Sequence, residues 1–508
     1  MTLSRCRVAL GAIAACAAVV AAVQVPTLDE RIENGECSRQ PPSQVGSYFP
    51  TNVQASSSYE SAQLFDIVYS EAFKIVISRV AKEQYVLTQC GQSKPTDAEV
   101  DAAVPLETGY QRKHFDIPLL SAAAGSTVHL AFLDYLDVDD RIRYVDSNAV
   151  GPCWQKALTC GSALASEYGG NATLREIQTK SVDVFFMGCD WMGNCDGVRN
   201  QANGVHVPSA QDPSPIKTAE YVKFFAAFFN KEPLAIQHFS SVNATYHAVG
   251  KSTGEPKPVV AWIQWLDWKS AYEVSLASYK TLMVTDAGGV NFDAETELAG
   301  LDGLERIEST SGVTYAVNVD AYNTSSDQDG SFEAVRGRAA AALMSRLAGV
   351  DAVVDETYEY DPRSYDLDKF KDNFYLTGSE DYAFMTSQRV ARFDGTLGNS
   401  PTFGWDWYES RLARPDLAVE GLARVLWPSN SFERRFFRNI AAGETVLIVF
   451  PADCKETLPV CDADAEPLPI KTLDKDATQV DAAFSGEITI LALVPFVSAA
   501  MVAARVAL

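Results

Sequence analysis

Residues 214–248 constrain this chain most. Tyr221, Phe224, Phe225, Phe228 and Phe229 recur at i, i+3, i+4, i+7 and i+8, the spacing of one helix face. Pro215 can open a helix, and Pro233 suits the first turn of a continuing one, so the pattern predicts a long helix over 214–248. A face this aromatic needs cover along its length. It is either a core helix or a connector packed against two lobes.

On both sides of it, strand-like and helix-like periods alternate. Phe73 to Ile77, Tyr85 to Thr88, His114 to Leu120, Ile142 to Val145 and Val182 to Met187 read as strands. Val128, Phe132, Tyr135 and Leu136 keep helical spacing, and Leu174 to Ile177 falls in a short helix. After residue 248 the alternation restarts. Val259 to Trp265, Val350 to Val354 and Gln388 to Phe393 are strands, and Tyr279 to Ala287 and Phe332 to Leu347 are helices. A further helix opens at Pro415. Ser181 to Phe186 and Gly349 to Val354 each place Val-Asp before an apolar strand that follows a helix, a weak internal echo. The expected class is α/β: two lobes, each a mostly parallel sheet flanked by helices, joined by one long linker helix.

The ends differ from the body of this 508-residue chain. Arg5 and Arg7 precede the apolar run Val8 to Ala22, the pattern of a signal peptide over 1–23. Ile488 to Leu508 is apolar to the last residue and follows small and polar residues. That order reads as a GPI-attachment signal over 476–508, with a single C-terminal membrane span as the rival. Between the ends we expect an irregular segment over 24–60, an N-terminal lobe over 61–213, the linker over 214–248, a C-terminal lobe over 249–450 and an extracellular tail over 451–475.

Both readings of the tail place the protein outside the cell, at the outer face of the plasma membrane. Eight cysteines remain after Cys6 and Cys16 leave with the signal, an even number suited to an oxidising compartment. The simplest pairing joins three pairs close in sequence, Cys153 with Cys160, Cys189 with Cys195 and Cys454 with Cys461, and leaves Cys37 with Cys90. No zinc-type spacing supports a metal reading. Glycosylation sequons begin at Asn171, Asn243 and Asn323. The net charge of −24 excludes nucleic acid as a partner, because no basic surplus exists to neutralise phosphates.

Several segments in series resemble one family. They are Tyr85 to Gly91, Ile117 through the Gly125-Ser126-Thr127 turn to Leu136, Thr218 to Glu232, Ser278 to Gly289, Val350 to Tyr358, and Asp406 to Pro428. In order and spacing, over roughly residues 45 to 430, the chain resembles the periplasmic binding proteins for metal chelates. These are the cobalamin and ferric-siderophore receptors of ABC importers. The resemblance implies two α/β lobes and a small-molecule ligand in the cleft between them, with a metal chelate as the bound group and no intrinsic cofactor. It implies a binding protein rather than an enzyme, monomeric, delivering to a membrane transporter or surface receptor. The processing signals depart from the bacterial pattern, so binding without delivery to an importer is an open alternative. Two further alternatives are a cell-surface protein that kept the fold but binds protein or glycan, and an extracellular enzyme.

Ligand contacts are expected at loops after strands. Gly125, Ser126 and Thr127 form a small-residue turn at a helix start, where backbone N–H groups can hold an anionic or carbonyl group. An ordinary helix cap explains either hydroxyl equally well. His129 follows the turn as a lone histidine. Trp262, Trp265, Trp268 and Tyr272 form one aromatic group, of which Trp265, Trp268 and Tyr272 are the ligand candidates, and Trp405, Trp407 and Tyr408 another, of which Trp405 and Trp407 are; packing is the competing role for each. Gly250 to Gly254 fits G-x-S-x-G, but a helix precedes it and a strand follows, the reverse of a nucleophile elbow.

Overall fold

Short β-branched and aromatic runs form the strands, and the small or polar segments between them turn or coil into helices. The computed structural model describes residues 26–461, apart from 57–61, 63, 167–170, 190–195, 251–253, 324–330, 379, 401, 457 and 459–460. The expected signal peptide, the expected C-terminal signal over 476–508 and Cys195 lie outside the described residues. Among the described residues no helix is long and apolar enough to cross a membrane.

The N-terminal lobe holds two sheets. In the first, β1 (Phe65–Tyr69), β2 (Phe73–Ser78) and β3 (Glu83–Gln89) form an antiparallel meander, and β4 (Gln111–Ile117) runs parallel to β3. In the second, β5 (Ala122–Ala124), β6 (Ile142–Val145), β7 (Leu164–Ala165), β8 (Val184–Met187) and β9 (Gly204–His206) are all parallel, in the order β7-β6-β5-β8-β9. The chain winds one way from β5 and then the other, so strand order reverses between β5 and β8.

The aromatic stretch is the core of this lobe. Pro215–Ala219 runs into the helix Tyr221–Phe229, and all five aromatic residues are buried. Tyr221 packs on Phe65 of β1 at 4.7 Å between ring centres, Phe228 on Phe115 of β4 at 5.5 Å, and Phe225 on Phe186 of β8 at 5.0 Å. The helix is thus sandwiched between both sheets.

It does not continue unbroken to residue 248. Asn230 takes a left-handed conformation (φ 56°), and a new helix, Glu232–Val249, starts with Pro233 in its first turn. Within one continuous helix the Pro233 ring would meet the Phe229 carbonyl, four residues back. The second helix is the connector. Its Ala235, Phe239 and Val242 join the N-terminal core, and Tyr246 and Val249 join the C-terminal one.

The C-terminal lobe is built on β10 (Val259–Leu266), β11 (Ala271–Ala277), β12 (Val290–Asn291), β13 (Leu304–Ser309), β14 (Gly312–Asn318), β15 (Ala352–Asp355), β16 (Val390–Arg392) and a short strand Arg438–Asn439. Its centre is parallel (β10, β15, β16); one flank is the antiparallel set β11-β14-β13 and the other the antiparallel strand Arg438–Asn439. Helices Phe332–Arg346 and Leu367–Phe374 cover one face. Ser278–Asp286 and Pro415–Leu426 cover the other, where the latter packs beside the connector.

The internal echo is structural. The Asp183 N–H donates to the Ser121 carbonyl, and its Oδ2 accepts the Ser121 N–H at 3.0 Å. The Asp351 N–H donates to the Val259 carbonyl, and its Oδ2 accepts the Val259 N–H at 2.8 Å. In each lobe an aspartate ahead of a strand clamps the start of the neighbouring parallel strand.

Two disulfide expectations are corrected. Cys37–Cys90 forms, but Cys153 pairs with Cys454 and Cys160 with Cys461, each across 301 residues. Cys153 and Cys160 lie on one helix, Pro152–Cys160. Seven residues along a helix rise about 10.5 Å, beyond the roughly 7 Å that a disulfide spans between Cα atoms. Cys189 is also disulfide-bonded.

Candidate functional site at the seam between the lobes

The loop after β6 and the helix after β5 both meet the C-terminal lobe. After β5 comes the expected turn. A Cβ on Gly125 would press on the Phe185 ring and the Phe186 carbonyl, so glycine permits the close approach of β5 and β8 here. Ser126 caps the helix Thr127–Asp134 by backbone conformation, and its side chain makes no cap bond. Ser126 is buried and Thr127 half-buried. His129 is fully buried, 5.4 Å from the Phe225 ring, with its Nε2 toward Gly188 at the end of β8. The turn and His129 therefore do meet at the point where strand order reverses.

The loop after β6 is pressed against the other lobe. The buried Glu409 carboxylate accepts the N–H groups of Val150 and Gly151, both at 2.6 Å. Gln155 donates to the Val449 carbonyl at 3.1 Å and accepts the Asn399 N–H at 3.2 Å, and Thr402 donates to Asn148. A Cβ on Gly404 would collide with the Asn148 carbonyl oxygen. The two long-range disulfides tie the helix Pro152–Cys160 to the chain at 454–461. On the β6 side the seam is filled rather than open.

Desolvation sets the protonation of its acids. Burial, helped by the negative charge of Glu456, pushes the Asp134 carboxyl up to about 8. Burial also holds Glu409 well above the usual carboxylate range, against the pull of the two N–H donors. Asp406 instead pairs with Arg435 at 2.6 Å.

Most of the expected aromatic contacts serve as packing. Trp265 is 4% exposed, lies 4.7 Å from Tyr272 and carries the Arg336 guanidinium at 4.1 Å. Tyr272 is fully buried, and its hydroxyl donates to the Asn373 carbonyl at 2.9 Å. Trp405 and Trp407 pack around Phe393, and Trp407 also meets Trp262 and Phe437. The Trp265–Tyr272 pair and the Trp405–Trp407 pair belong to cores on opposite faces of one sheet, so they cannot line one cleft. Trp268 is the exception, at 50% exposure, with Lys269 Nζ 4.8 Å above its ring. Asn171 and Asn323 are exposed and Asn243 half-buried.

Sequence reasoning missed Arg411. It lies on the seam segment, is 5% exposed, and sits between the rings of Tyr279 (4.5 Å) and Trp407 (4.7 Å). Two recesses lie elsewhere. One, of about 570 Å³, opens beside Arg31, His114, Asp116, Lys180 and Asp183, at the opposite ends of β5 and β8. The other, of about 530 Å³, is lined by Arg336, Lys369, Lys371 and Tyr375. Among the described residues no cluster of histidine, cysteine and acidic groups could hold a metal ion.

No protein-family model and no curated protein matches the chain. Among solved structures it is similar to the periplasmic haem-binding protein HutB of Vibrio cholerae. Identity is 12%, over 61% of this chain and 99% of that one, with a TM-score of 0.41. It is similar also to a siderophore-binding protein, BauB, at 13% identity, 62% and 95% coverage and a TM-score of 0.41. A periplasmic binding protein of Veillonella parvula is similar at 14% identity, 60% and 90% coverage and a TM-score of 0.40.

Proposed function

We propose that this protein captures a small solute, a metal chelate such as a corrinoid, ferric siderophore or haem, outside the cell at the seam between its lobes. One observation carries the reading. Gly125, Ser126, Thr127 and Gly188 lie at the carboxyl ends of parallel strands where strand order reverses between β5 and β8, and the loop after the neighbouring β6 meets a second α/β lobe. Ligands of open α/β sheets collect at such a point. The disulfides support an oxidising, extracellular setting. Secretion by the N-terminal leader and anchoring through the C-terminal signal belong to the same reading.

A second reading rests on the filled seam. Glu409, Gly404 and the long-range disulfides close the β6 side, as expected of a surface protein that kept the fold and binds protein or glycan. A thermal-shift screen against cobalamin, ferric siderophores and haem separates the two. A ligand at a hundred times its dissociation constant adds about 2.7 kcal/mol to folding, so the chelate reading expects a clear rise in melting temperature with one class. No rise with any class favours the second reading.

A further inference from the structure

Among the described residues Arg411 is a buried cation of the C-terminal lobe that forms no ion pair, whereas its neighbours on the same side do. Lys280 pairs with Glu356 and donates to Ser275 at 3.0 Å, and Lys269 pairs with Glu273 at 2.9 Å. Arg411 donates no side-chain hydrogen bond and forms no ion pair among the described residues, and its Nε is sealed from solvent without a partner. The ring contacts with Tyr279 and Trp407 offset part of the cost of taking the charge out of water but supply no hydrogen-bond acceptor for the N–H groups. The protein matches its other deeply buried guanidinium groups fully. Arg392 and Arg438 share Asp355 and Asp394 in a closed network of two cations and two anions.

The backbone fixes Arg411 at the junction. Two residues before it, Glu409 grips the N-terminal lobe. One residue after it, Leu412 enters the N-terminal core, and its carbonyl accepts the Thr218 hydroxyl at 3.0 Å. The Arg411 side chain turns toward the C-terminal core, between Tyr279 and Trp407. Resting on the solute-binding reading above, we propose that Arg411 receives a carboxylate of the bound solute, so that the protein selects carboxylate-bearing chelates. A planar guanidinium with all five N–H donors uncommitted fits a carboxylate by two parallel hydrogen bonds.

The test uses the full mature chain and its tryptophan fluorescence, with ferric citrate, iron-free citrate and ferrioxamine B, a ferric hydroxamate without a free carboxylate. Ferric citrate is expected to bind more tightly than ferrioxamine B, and Arg411→Gln to weaken it about 10- to 100-fold while leaving the melting temperature unchanged or higher. Equal or tighter binding of ferrioxamine B, or an Arg411→Gln variant that folds and keeps full affinity, overturns the carboxylate role and leaves solute capture standing. Binding of citrate alone through Arg411 supports the role but removes the chelate. Binding of none of the three overturns both. Should Arg411→Gln fail to fold, the comparison of ligands on the unmodified protein still decides.

Discussion

Asp134 shows how the seam responds to pH. Its folded-state carboxyl titrates near 8, against an ordinary value of 3.8, because burial opposes its charge. Between those values the native protein holds a proton that the unfolded chain has released, so this contribution to stability is complete at low pH and fades as pH rises to about 8. Asp134→Asn keeps a neutral side chain of the same shape. The melting temperature of the unmodified protein should therefore fall relative to Asp134→Asn by a few degrees between pH 5 and pH 9. Parallel pH curves for the two would rule the effect out. Residues of this kind were illegible in the sequence, because their behaviour is set by what covers them. Arg411 sits in a segment, Glu409 to Pro415, that mixes charged, polar and apolar residues. Trp265 and Trp407 carried no mark of which sheet face was sealed. The small-residue turn at Gly125 was legible, since only residues without bulk fit where two strand ends and a helix start converge.

At the scale of elements, the strongest polar join is in the C-terminal sheet. Arg392, on β16, bonds Asp355 of β15 at 2.8 Å and Asp394 at 2.8 Å, and its guanidinium lies 3.6 Å over the Tyr365 ring. Arg438, on the antiparallel edge strand, completes the set. Arg392→Met would leave the buried Asp355 without a cation and Asp394 with Arg438 alone, and guanidinium unfolding should show a loss of about 3–5 kcal/mol. An unshifted unfolding midpoint would mean that the network is already open to water. Strands with β-branched or aromatic runs, such as β2, β3 and β10, were readable from pattern. The hairpin β13–β14 was missed because β13 is polar and mostly exposed, so it carries little period-two contrast. The break at Asn230 was missed because Pro233 is compatible with either the start or the interruption of a helix. The Val-Asp echo was readable as repetition, and its cause, an aspartate clamping a neighbouring strand, emerges only with the pairing in view.

For the molecule as a whole, two lobes joined by a single helix could in principle tilt. Here the connector is buried at both ends, and the two long-range disulfides add a second attachment on the β6 side. Under the solute-capture reading proposed above, small adjustments rather than wide closure are expected. Replacing Cys153, Cys160, Cys454 and Cys461 together by alanine should lower stability by about 2–5 kcal/mol and raise the radius of gyration measured by X-ray scattering. An unchanged radius would show that Glu409 and Gly404 hold the lobes without covalent help. This pairing was beyond the reach of the sequence, since eight cysteines allow 105 connectivities. The equal seven-residue spacing of both pairs was the one available hint, matching two segments laid side by side.

Those cross-links also change the chain's topology. With Cys153 bonded to Cys454, everything between them becomes a covalent ring, and the whole C-terminal lobe hangs inside it. A protease that cuts once within that ring linearises it but releases nothing: both pieces travel together until a reductant is added. A pull on the chain beyond Cys461 would likewise enter the N-terminal lobe directly, bypassing the lobe that precedes it in sequence.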